Sequence, residues 1–294
     1  MKDKTVATDV PDLYALIIRL IAGEDGSLRA TQGELAHAAF LDVLQQVDGD
    51  LAQALHDHEG RKPFTISPLR GYRRRSKGRL GIRAGESGWL RVTLLDPALF
   101  HTFITYFLQG PPQTAVRLGR IPFQVSEILS TPESHFLAGA GSVQALRERW
   151  AAVDVEGSHR TIPLTFGSPT AFSIRNPNTP FRYMHVLPDP ALVFGELARY
   201  WDEMSGSDAM EAIRDYAQEA VAVSRHNIRT HMYRYRRSKQ IGFTGNVHYH
   251  ILDRENEAMI RRLNRLADLA FYTGLGSKTT MGMGQVYRRR REEG

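Results

Sequence analysis

The chain has 294 residues, a formal charge of +6, an isoelectric point near 9.6 and no cysteine. Without thiols there is no disulfide scaffold, zinc ribbon or cysteine nucleophile, which fits a reducing cytoplasm. No apolar run reaches the roughly eighteen residues of a membrane span, and Met1-Lys2-Asp3-Lys4 leads into no signal-peptide core, so a soluble cytoplasmic protein is expected.

Residues 13–21 are rich enough in β-formers for a buried strand, although their length also allows a helix. Thr31 reads as the N-cap of a following helix, with Glu34 completing a capping box. A second short helix over residues 49–58 ends at Gly60, and residues 64–69, 80–82 and 89–95 read as strands. Pro97 suits the first position of a helix over residues 98–108, and residues 115–129 supply one or two strands. That order is β-α-β-β-α-β, the ferredoxin-like motif.

The second half follows a similar scheme. Residues 160–166 form a strand, 190–204 and 208–223 helices, 227–235 and 242–252 paired strands, 257–271 a helix and 284–290 a last strand. The expected fold is α+β, two tandem ferredoxin-like (RRM-like) domains with a C-terminal glycine-rich loop. The expected division is residues 1–145 and 146–294, within a polar, small-residue stretch over 139–157.

Four glycines fall within residues 274–284, with Lys278 and three hydroxyl side chains between them. Glycine lets a backbone approach a ligand and present N–H groups to an anion, though a tight helix-to-strand turn would use the same residues. The order is wrong for a nucleotide P-loop, because Lys278-Thr279-Thr280 precedes Gly282 and Gly284 and the helix lies before the loop. Arginines cluster at residues 73–75, 234–237 and 288–291, beside Tyr72, Tyr233, Tyr235 and Tyr287. Interleaved cations and aromatic rings suit phosphate contact and base stacking in single-stranded or looped RNA. The expected RNA contacts are Gly274, Gly276, Lys278, Thr279, Gly282 and Gly284 with Arg234, Arg236 and Arg237.

Four segments together resemble the CRISPR-associated protein six family, the repeat-processing endoribonucleases of the repeat-associated mysterious protein superfamily. Leu55-His56-Asp57 leading to Pro63-Phe64-Thr65-Ile66-Ser67 is similar to that family's Leu-His-Asp/Glu segment. Phe166-Gly167-Ser168-Pro169-Thr170 resembles its central segment, Gly242-Phe243-Thr244-Gly245 its glycine-aromatic strand, and residues 274–284 its terminal loop. The resemblance implies metal-independent cutting within CRISPR repeat RNA: a ribose 2′-hydroxyl attacks the adjacent phosphate, leaving a 2′,3′-cyclic phosphate and a 5′-hydroxyl. It implies no cofactor. The implied partners are repeat RNA, other CRISPR-complex subunits and a second copy in a homodimer.

Histidine suits proton transfer near neutral pH. His56 matches the family's catalytic position, and His37, on the preceding helix, is a second candidate; which serves as base and which as acid stays open. His58, two residues from His56, would point elsewhere on a helix. Lys62 matches a lysine that in some relatives lies close to the scissile phosphate, where it would stabilise transition-state charge or simply neutralise the RNA backbone. Certain relatives carry a tyrosine on the first helix, and the nearest aromatic here is Phe40. His248 and His250 share a strand face but have no carboxylate partner for a metal, and Arg225-His226 and Arg229-Thr230-His231 lack the spacing of an Arg-x-x-x-x-His nuclease. The other reading is a catalytically silent RNA-binding subunit, which would not need His56 paired with Lys62.

Overall fold

The computed structural model describes residues 10–58, 60–75, 78–109, 115–176, 178–236 and 238–288. Its first half runs β1 (Leu13–Ala22), β2 (Gly26–Arg29), α1 (Gly33–Gln45), α2 (Gly49–Asp57), β3 (Phe64–Ile66), β4 (Arg74–Arg75), β5 (Arg79–Ile82), β6 (Ser87–Leu94), α3 (Pro97–Gln109), β7 (Ala115–Leu118) and β8 (Ile121–Leu129). β1, β6 and β3 with β8 form an antiparallel sheet in the order β3-β6-β1-β8-β7. Taking β1, β3, β6 and β8 as the four strands of a βαββαβ unit, the spatial order 4-1-3-2 is ferredoxin-like. Leu16, Ile18 and Leu20 alternate onto the face that carries Phe40, Phe64, Phe103 and Phe123, forming the first core. Burying each such ring contributes about 1.5–3 kcal/mol.

The second half runs β9 (Gly139–Gly141), α4 (Val143–Ala151), β10 (Thr161–Thr170), β11 (Phe172–Arg175), β12 (Arg182–His185), α5 (Pro190–Ser205), α6 (Met210–Ala220), β13 (Val221–Arg234), β14 (Lys239–Ile251), α7 (Glu257–Thr273) and β15 (Val286–Tyr287). Its sheet order, β13-β14-β10-β15, is again ferredoxin-like when β10 is the first strand. Burial alternates strictly along β10: Ile162, Leu164 and Phe166 point into the core with Phe194, Leu197, Tyr249 and Leu266. β2, β5 and β4 add a separate three-stranded sheet bearing Arg29, Arg74, Arg75 and Arg79.

Two local expectations are corrected by packing. Thr31 does not cap α1: the N-cap is Gln32, which makes no side-chain cap hydrogen bond. Thr31 Oγ1 instead donates to the Arg234 carbonyl at 2.7 Å, and the Glu34 carboxylate accepts from the Arg236 N–H at 2.6 Å. The helix expected to reach residue 223 ends at Ala220, because Val221 and Val223 open β13 and pair with Ile251 and Tyr249 of β14. Residues 145 and 146 lie within α4, whose Val143 and Leu146 pack into the second core.

Candidate functional site

The glycine-rich loop leaves α7 and lies between the two halves. Gly274, Gly276, Gly282 and Gly284 all have positive φ, and Lys278 joins them at 61°. Each glycine is pressed against protein. A Cβ on Gly276 would sit 2.5 Å from the Ala171 carbonyl, and one on Gly284 would sit 2.1 Å from the Leu275 carbonyl. Many of the loop's N–H groups are already donated internally: Gly276 to the Glu196 carboxylate at 3.2 Å, Ser277 to the Ala171 carbonyl at 2.8 Å and Gly284 to the Pro169 carbonyl at 3.0 Å. Burial raises the Glu196 carboxyl above its ordinary range, and Arg61 and the Gly276 N–H oppose that rise. Thr279 is buried, while Lys278 stays partly exposed with its ammonium 4.1 Å above the Tyr235 ring.

The loop then meets α1. Gly33, the first residue of that helix, lies so close that a Cβ there would stand 1.7 Å from the Met281 carbonyl. One turn further on, His37 directs Nδ1 to the Thr280 carbonyl at 3.1 Å. A carbonyl only accepts, so Nδ1 carries the hydrogen, and in the neutral ring Nε2 keeps its lone pair. Burial lowers the His37 imidazole below its usual value of 6.5; the Thr280 hydrogen bond opposes this, while the positive charges of Lys62 and His56 add to it. His37, His56 and Lys62 therefore act on one another electrostatically across α1 and the end of α2.

His56 lies in the last turn of α2, exposed to solvent, with Nδ1 3.0 Å from the Asp57 carboxylate. That hydrogen bond holds the Asp57 carboxyl below its ordinary range. The Lys62 ammonium donates to the Leu55 carbonyl and, at 3.0 Å, to the His56 carbonyl, satisfying orphan acceptors at the helix C-terminus. Phe40 is buried against Phe64 at 4.4 Å between ring centres, a core role. Among the described residues no three His, Asp or Glu side chains group as metal ligands. His250 is engaged by Arg160 and Thr161.

A cleft of about 1530 Å³ opens between the halves, lined by Arg29, Arg70, Arg74, Arg79, Arg234, Arg236 and Lys239. It unites two of the three arginine clusters seen in the sequence. Arg237 lies outside the described residues. The tyrosines expected to stack on bases are mostly committed elsewhere: Tyr72, Tyr233 and Tyr235 are each at most 8% exposed. Tyr72 donates to backbone carbonyls, and Tyr233 accepts from the Gly33 N–H, because a buried phenol needs a partner. Sequence reasoning missed the Thr280 carbonyl and Glu196; a backbone acceptor has no side-chain signature, and Glu196 lies in an ordinary amphipathic helix.

A family model for the CRISPR Cas6 N-terminal domain matches residues 12–146, and one for the CRISPR-associated endoribonuclease Cas6 matches residues 164–286. The chain belongs to the Cas6 family of CRISPR-associated endoribonucleases. Its fold is similar to a Cas6 (TTHB231) product complex, with a TM-score of 0.77 and 29% identity over 94% of this chain and 100% of that one. Thermus thermophilus Cas6 (TTHB231) gives a TM-score of 0.70 and 28% identity, covering 95% and 99%. A substrate-mimic complex of Cas6 (TTHA0078) gives 0.67 and 27%, covering 94% and 99%. Among curated proteins searched by sequence, none matches. No helix among the described residues is long and apolar enough to cross a membrane.

Proposed function

We propose that this Cas6 family member cuts precursor CRISPR RNA within its repeats without a metal ion, by attack of a 2′-hydroxyl on the adjacent phosphate. The observation that carries this reading is the 3.1 Å hydrogen bond from His37 Nδ1 to the Thr280 carbonyl, which in the neutral ring leaves Nε2 free to accept a proton. A neutral imidazole with a free Nε2 takes the 2′-hydroxyl proton, which makes His37 the general base. His56 presents its other ring nitrogen to solvent while Asp57 holds Nδ1, and it serves as the proton donor to the leaving 5′-oxygen. Lys62 holds the end of α2 and contributes positive charge toward the phosphorane.

The RNA lies along the arginine cleft between the halves, and Lys278 meets phosphate at the loop's rim. The loop glycines let the backbone pack into the protein beside the RNA. The protein acts in the cytoplasm, with repeat RNA and its processed product as partners, alone or within a larger CRISPR assembly. The similar Cas6 structures solved as product and substrate-mimic complexes support this partner class.

Purified protein incubated with repeat RNA in excess EDTA tests the reading. Full single-turnover cleavage with cyclic-phosphate ends is expected, and His37→Ala should slow it by roughly 10²–10⁴-fold with RNA affinity little changed. Strict dependence on added magnesium or manganese would remove the mechanism. Tight RNA binding without cleavage would favour the silent subunit.

A further inference from the structure

The glycine-rich loop has a second consequence for chemistry, which rests on the reading of His37 as base. The geometry points to the loop as a positioning element: the Thr280 carbonyl sets the tautomer and aim of the His37 ring, so loop and base form one unit. Residues 243 apart are joined by a single 3.1 Å hydrogen bond. In water an imidazole exchanges its proton between two nitrogens; a fixed acceptor at Nδ1 holds the hydrogen there and leaves Nε2 as the basic atom.

The carbonyl is held firmly enough for that task. Gly33 and Gly282 approach each other so closely that a Cβ on Gly282 would be 3.2 Å from the Gly33 Cα and 2.5 Å from the Tyr233 hydroxyl. Tyr235 donates to the Met281 carbonyl at 3.3 Å, and the Met281 N–H closes a turn on the Lys278 carbonyl at 2.9 Å. Thr280 thus sits in a short 3-10 turn pinned on both sides, with the ring of His37 also against Phe64, 5.7 Å between centres. The Thr280 side chain plays no part; its carbonyl alone is the acceptor.

The test is ¹⁵N NMR of the full-length protein labelled at histidine, with the His37 signals assigned by their absence in His37→Gln. Nδ1 should appear protonated and Nε2 unprotonated above the imidazole's titration; an Nε2–H tautomer would overturn the inference. Gly33→Ala forces the loop away from α1, and it should mix the tautomers and slow single-turnover cleavage by about 10–100-fold at unchanged RNA affinity. Wild-type cleavage by a folded Gly33→Ala protein would also overturn it. Should Gly33→Ala fail to fold, the wild-type spectrum alone decides. The two readings separate cleanly: wild-type cleavage by His37→Ala defeats His37 as base, whereas an inactive His37→Ala with an Nε2–H ring in the parent keeps His37 as base through Nδ1 and defeats the loop's role.

Discussion

The guanidinium of Arg91 reaches the side-chain carbonyl of Gln285 at 2.9 Å, tying β6 of the first sheet to the segment just before β15 of the second. Arg91 also donates to the Leu137 carbonyl at 2.8 Å and the Phe271 carbonyl at 2.6 Å, and lies 4.4 Å above the Phe271 ring. Burial pushes its pKa down to about 9, which still leaves it charged at neutral pH. Its hydrogen-bond partners are neutral acceptors drawn from three separate segments. Gln285 passes the connection on, donating to Thr65 at 3.0 Å.

Arg91→Met should therefore destabilise the protein. Relief of the buried charge is offset by acceptors left without donors, each worth about 1–3 kcal/mol, so a net loss of about 2–4 kcal/mol is expected. Denaturant titration measures it, and a value near zero would show that the guanidinium cluster is no keystone between the halves.

The pH dependence of cleavage carries the sign of the His37 shift. The reactive form is unprotonated and its folded pKa lies below 6.5, so the acid limb of the single-turnover profile should lie below that pH. By the same linkage, the stability due to neutral His37 is present above the unfolded value and lost as pH falls through the folded one. An acid limb above 6.5 would assign the base to another group.

Lys62→Met removes two hydrogen bonds from the C-terminus of α2 together with a positive charge. Lys62 is half-buried at a helix end that solvent also reaches, so the stability cost should be about 1 kcal/mol. The cleavage rate should fall more steeply, by about 10²-fold, if the ammonium stabilises the phosphorane. Thermal melts and single-turnover rates on the same preparation separate the two effects.

In the cleft, Arg74→Ala and Arg234→Ala should each weaken RNA binding across unrelated sequences. Each should lower the slope of log affinity against log salt by about one unit, as expected for one lost phosphate contact. Unchanged slopes would place the RNA on another face.

Gly284→Ala combines a positive φ of 70° with a Cβ 2.1 Å from the Leu275 carbonyl. A loss of about 2–4 kcal/mol is expected from backbone strain and displacement of the loop. RNA affinity per folded molecule should stay close to wild type, measured by binding isotherms below the melting temperature. A stable variant that no longer binds RNA would mean that Gly284 itself faces the RNA.

The sequence by itself determined the main helices and strands of the two ferredoxin-like units and the family, but not the short strands β2, β4, β9, β11 and β12. Alternation in β10 and the 3.6-residue period of α7 are local signals that tertiary contact did not need to alter. It also drew attention to His37, His56, Lys62 and the glycine loop. Only the tertiary structure decided what those residues touch. Thr31 and Glu34 have the letters of a capping box, but the 234–236 segment offered them backbone partners and took both. Tyrosines beside arginines read as base-stackers until the Tyr233 and Tyr235 rings are found buried under the loop. The hydrogen bond that gives His37 its free Nε2 comes from a main-chain carbonyl, an atom every residue possesses and no sequence can single out. Side-chain periodicity is written locally, whereas the partner of a backbone acceptor is chosen only when distant segments pack.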